Sequence, residues 1–78
     1  MDRGVRGVVE FMLDNLANEA CVKRALMELE KMTAYLKGEA LCNASKRIIA
    51  KAMQDYYTEW DVQVWALQIY NNVVVQGE

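Results

Sequence analysis

The stretch DVQVWALQIYNNVVVQG, residues 61–77, decides how this chain is read. After Asp61 no charged side chain occurs until Glu78. At about 100° per residue, Val62, Trp65, Ala66, Ile69 and Val73 fall on one helical stripe. Tyr70, Val74 and Leu67 widen that stripe, while Val64 and Val75 lie opposite it among Gln68, Asn71 and Asn72. The helix is apolar over more than half its circumference, and such a helix is buried on more than one side. Three other short helices can cover one broad face. Part of this helix is therefore expected to meet another chain, through Val64, Trp65, Ile69, Tyr70, Val73 and Val74, and a homodimer is the expected state.

Just upstream, TEWD reads as the start of this helix (helix D). Thr58 is placed as its N-cap, and Glu59 and Asp61 put negative charge at the positive end of the helix dipole. Asp61 occupies the capping-box position. Helix D runs to about Gln76.

Three more helices precede it. Helix A, about Arg3 to Ala17, aligns Val5, Val8, Val9, Met12 and Leu16, with Phe11 pointing away. Asn18 is the predicted N-cap of helix B, Glu19 to about Leu36. Its apolar face is Val22, Ala25, Leu26, Leu29, Met32 and Leu36, and Glu19 and Lys23 are spaced for an i,i+4 ion pair. Gly38 is its expected left-handed cap. Helix C, about Leu41 to Tyr57 with a restart at Ser45 as one option, presents Ile48, Ile49, Ala52, Met53 and Tyr56.

These elements define one all-α domain over residues 1–78, with four helices in two antiparallel pairs. At 78 residues the chain is marginal as a lone monomer. Its apolar content of 54% exceeds the usual ~45–50%. Nine basic against eleven acidic residues argue against nucleic acid as the main partner, because phosphate binding needs concentrated Lys and Arg. No stretch is long and apolar enough to span a membrane, and the first apolar segment carries Glu10 and Asp14, unlike a secretory signal. A cytoplasmic location with Cys21 and Cys42 reduced is expected. The initial methionine suggests a whole gene product.

The residue inventory also bounds the chemistry. Histidine is absent, which removes the usual Ser-His-Asp and Cys-His arrangements and the commonest metal ligand. Cys21 and Cys42 have neither CxxC spacing nor a second pair, so they read as small hydrophobes and no metal is expected. Asp14, Glu28, Glu30 and Asp55 fall on solvated faces, and GVRG lacks the lysine of a phosphate loop. No enzyme and no cofactor are expected.

What remains is surface recognition. QDYYTEWD concentrates Tyr56, Tyr57 and Trp60 among acids at the C–D turn, and aromatics with flanking acids can form a hot spot for a basic protein partner. Tyr57, Glu59, Trp60 and Asp61 are the predicted partner-binding residues. The competing reading packs Tyr56 and Trp60 inward as a staple across the turn. Lys46, Arg47 and Lys51 form the only basic cluster, which reads as a solvated face. Met12, Met27, Met32 and Met53 read as core filler.

Residues 8–29 and 49–70 resemble each other. A shift of 41 pairs Met12 with Met53, Asp14 with Asp55, Ala25 with Ala66 and Leu26 with Leu67. It also pairs Arg6 with Arg47, Val8 with Ile49 and Cys21 with Val62. A period near 40 with two helices per unit marks stacked helical repeats. Val62-Gln63, Ala66-Leu67 and Asn71 or Asn72 make the C-terminal half similar to an armadillo-type repeat, and Val22, Ala25 and Leu26 do so more weakly in the first half. This resemblance implies a two-repeat armadillo/HEAT-like stack. Such stacks hold many repeats with polar ends, whereas helix D is apolar. The chain is then either a fragment of a longer array or completes its core by self-association.

The functional expectation is a non-enzymatic protein-binding module that self-associates. Two other classes stay open: a small inhibitor or regulator of the phage or mobile-element type that binds a host protein, and a small DNA-binding regulator using Lys46, Arg47 and Lys51.

Overall fold

The computed structural model of the chain describes residues 4–35 and 43–77. The predicted Gly38 cap and Cys42 lie outside them, as does the side chain of Val74. Four helices make up the described chain: α1 (Gly4–Asp14), α2 (Glu19–Tyr35), α3 (Asn43–Asp55) and α4 (Trp60–Gly77). The all-α, four-helix expectation is met. Among the described residues there is no strand.

Local chemistry sets the helix ends. The Asn18 side chain accepts a hydrogen bond from the Cys21 backbone N–H at 3.2 Å, so Asn18 caps α2 as its sequence position implies. Asn15 closes the end of α1 by donating from Nδ2 to the Phe11 carbonyl at 2.8 Å. At the corresponding end of α3, Gln63 Nε2 donates to the carbonyls of Met53 and Tyr56 at 3.0 and 3.1 Å. The start of α4 corrects one expectation. Trp60 is its first helical residue, so Glu59 and not Thr58 stands at the cap position. Asp61 still lies in the first turn.

Packing is dominated by α2 against α4, with α1 against α2 next and α3 touching both α1 and α4. The core joins Val5, Val9 and Met12 of α1 to Val22, Ala25, Leu26 and Leu29 of α2. It continues through Ile49 and Ala52 of α3 to Val62, Ala66, Ile69 and Val73 of α4. Each fully buried side chain of this size contributes about 1.5–3 kcal/mol. A polar link crosses the α2–α4 seam. The buried Thr33 hydroxyl donates to the Leu29 carbonyl at 2.9 Å and accepts from Asn72 Nδ2 at 3.0 Å. Asn72 thus serves the inner seam, whereas its neighbours suggested the polar outer side. No described side-chain polar atom is buried without a partner.

The two helix pairs keep the sequence register of 41. Helices α1 and α3 end at Asp14 and Asp55, and α2 and α4 begin at Glu19 and Trp60. The turn hydrogen bonds follow the same register. Asn18 N–H donates to the Asn15 carbonyl and Glu59 N–H to the Tyr56 carbonyl, both at 2.9 Å. Val22 N–H donates to the Asn18 carbonyl at 3.0 Å and Gln63 N–H to the Glu59 carbonyl at 3.3 Å.

Candidate interaction surface

The broad apolar face of α4 is occupied from within the chain. Ile69 is fully buried and Val73 nearly so, in the core shared with α1, α2 and α3. Their proposed role in self-association is therefore corrected: one chain already covers them, because three helices enclose more of α4 than its length suggested. Trp65 and Tyr70 are half-buried against the same core. Tyr70 donates its hydroxyl to the Lys46 carbonyl at 3.0 Å, and partial burial raises its pKa above the usual phenol value. Val64 is half-exposed on the other side of the helix.

An outer apolar surface nevertheless exists, and it is centred elsewhere. Tyr57 is 76% exposed, Trp60 78% and Leu67 58%. Trp60, Val64 and Leu67 recur at helical spacing along the outside of α4, with Gln68 and Asn71 beside them. The alternative of a Tyr56–Trp60 staple holds for Tyr56 alone. Tyr56 packs on the core and donates its hydroxyl to the Leu16 carbonyl at 2.6 Å, while Trp60 faces outward. Anchoring Tyr56 fixes the turn that presents Tyr57 and Trp60.

Beside these aromatics lies a charge cluster that one-dimensional reading missed. Lys23 Nζ reaches Glu19 at 3.0 Å, Glu59 at 3.2 Å and Asp61 at 3.6 Å. Only the Glu19 contact was legible as an i,i+4 spacing; the other two depend on the α2–α4 packing. The hydrogen bonds that Lys23 donates to Glu19 and then Glu59 hold its pKa above the ordinary value. Three carboxylates around one ammonium leave the cluster acidic by two formal charges. These groups are partly solvated, so their role in stability is small.

The basic cluster is divided. Lys51 pairs with Asp55 at 3.1 Å, and Lys46 and Arg47 are exposed on α3. Among the described residues no group of three or more Cys, Asp or Glu is placed to hold a metal ion, and no helix is long and apolar enough to cross a membrane.

A second feature lies on the opposite helix pair. An open groove of about 700 Å³ runs between α1 and α2. Gly4, Gly7, Val8 and Phe11 form one wall, and the other wall includes Cys21, Ala25 and Met32 with Arg24 and Glu28. Phe11 is 44% exposed, and Cys21 is a half-exposed free thiol. The methionines differ in role: Met12 is buried, Met32 and Met53 pack on the core edge, and Met27 faces out. No protein-family model, curated protein sequence or solved structure matches the chain.

Proposed function

We propose that this chain is a non-enzymatic protein-binding module of two armadillo-like helix pairs, whose contact surface is the α3–α4 corner formed by Tyr57, Glu59, Trp60 and Asp61. One observation carries the reading: an indole that is 78% exposed stands at the start of α4, next to an acidic cluster that shares one lysine. An exposed Trp adds little to its own fold. In an interface the same residue is a strong anchor, because it buries a large flat surface at low entropic cost. The surrounding acids select the partner. A segment with Arg or Lys can place its cation over the indole face and its charge near Asp61 and Glu59. Electrostatic steering then raises the encounter rate, and aromatic burial slows dissociation.

Selection from a random peptide display library against the immobilised protein tests this. The recovered peptides should be rich in Arg and Lys. Trp60→Ala should weaken their binding at least about tenfold, since hot-spot truncations cost about 2 kcal/mol or more. Asp61→Lys should also weaken it, whereas Leu13→Ser, at an exposed apolar position on α1, should leave it unchanged. Recovered peptides without basic residues, or binding indifferent to Trp60→Ala, would refute the assignment.

A further inference from the structure

The 41-residue register carries more than the turns. Residues of α3–α4 that dock against α1–α2 are Ser45, Ile49, Ala52, Val62, Ala66 and Val73, all buried. Their counterparts one register earlier are Gly4, Val8, Phe11, Cys21, Ala25 and Met32, which all line the open α1–α2 groove. The groove is thus the same face of the repeat, open on the first pair along Phe11 and Cys21, with the buried Ala25 at its floor.

The reciprocal relation also holds. In the first pair, Val5, Met12, Leu26 and Leu29 are buried, and Leu16 packs on the core. Their counterparts in the second pair are Lys46, Met53, Leu67, Tyr70 and Tyr57. Leu67 and Tyr57 are exposed, although Leu26 is fully buried and Leu16 packs on the core, whereas Met53 and Tyr70 are partly covered by the core of their own chain. The chain therefore presents part of each half of its own internal interface, one at either end.

We infer that the α1–α2 groove receives the outer face of α3–α4 from a second copy of this chain, head to tail, repeating between molecules the docking seen within one. The occupant follows from the internal interface: the face that fits this groove's counterpart is the α1–α2 face around Leu26, and its own counterpart is the exposed face around Leu67. The contact is weaker than the internal one. The groove carries Arg24 and Glu28 where the docked face carries Trp65 and Ile69, and the outer face carries Lys46 and Gln63 where Val5 and Val22 stand. The association is accordingly concentration-dependent, and because it is heterologous it does not close at two copies. It shares Tyr57 with the proposed peptide surface but leaves out Trp60, whose counterpart Glu19 is also exposed, so Trp60→Ala separates the two readings: it should weaken peptide binding and leave the concentration-dependent mass unchanged.

Light scattering behind a sizing column tests it with two single variants. Phe11→Glu blocks the groove and Leu67→Glu blocks the outer face. The wild type should gain mass with concentration beyond a dimer. Each variant alone should stay monomeric, and an equal mixture of the two should form a one-to-one dimer and nothing larger. That pattern arises only when two different faces meet. Gly4→Gln is a second groove block should Phe11→Glu lose its helical circular dichroism; among the described residues a Cβ at Gly4 meets only Met32 Cε, at 3.9 Å, an ordinary contact. A wild type that stays monomeric at every concentration, variants that still associate alone, or a mixture that stays monomeric would each overturn the inference.

Discussion

Ile69→Lys is expected to unfold the protein. Ile69 is fully buried in a core that gathers side chains from all four helices. The substitution removes a large apolar group and places an ammonium among buried apolar side chains. Loss of the packed side chain alone costs about 2–5 kcal/mol. Burial of an unpaired charge adds several more, or forces the helix to open. Domains of this size hold only about 0.05–0.15 kcal/mol per residue in total. The helical circular dichroism should therefore fall to that of a disordered chain at room temperature. A variant that stays helical and merely loses mass in solution would instead place Ile69 at an interface between chains.

The second large effect is a contrast between two leucines in the same register. Leu26 is fully buried and Leu67 is 58% exposed, although they are 41 residues apart on matching helices. Leu26→Ala should lower the unfolding free energy by about 2–5 kcal/mol, because it leaves a cavity between α2 and its neighbours. Leu67→Ala should change it by no more than about 0.5 kcal/mol, the usual range for an exposed site. Urea denaturation of both variants measures the difference. Equal losses would mean that the two helix pairs sit in equivalent environments, against the placement described here.

The helices and their turns were readable in the chain because capping and periodicity are local. Asn18 caps α2 from a position that any N-cap rule identifies, and the stripes of α1 and α3 are narrow enough to give a direction. Helix α4 was harder for a physical reason. Val62, Ile69 and Val73 on one side compete with Trp60, Val64 and Leu67 on the other, so its apolar residues do not point one way. Periodicity showed two apolar faces but could not say which one the chain itself would cover. The expected contact set mixes Ile69 and Val73 of the inner face with Val64 of the outer one, and the large exposed residues Trp60 and Leu67 lie on the outer side.

The candidate site was partly legible. Tyr57 and Trp60 were named from their clustering, and both are exposed. Sequence spacing suits Tyr56 and Trp60 equally well to an inward staple, and it is the tertiary bond from the Tyr56 hydroxyl to the Leu16 carbonyl that separates Tyr56 from Tyr57. The Lys23 cluster was invisible because Lys23 and Glu59 meet across 36 residues of chain. The groove was equally hidden. The repeat register could be counted in the sequence, but counterparts in a stack sit in opposite surroundings, one covered and one open, and that depends on which pair lies beyond.

The central claim is that the inner face of α4 is filled by the same chain, so that folding is a one-molecule event and recognition belongs to the outer surfaces. The most direct test is the urea midpoint of Leu67→Glu, in which the outer face is blocked, at two protein concentrations about a hundredfold apart. The midpoint should not move. A rise with concentration, reaching about 2.7 kcal/mol by mass action, would mean that the core forms only between chains and would contradict the account.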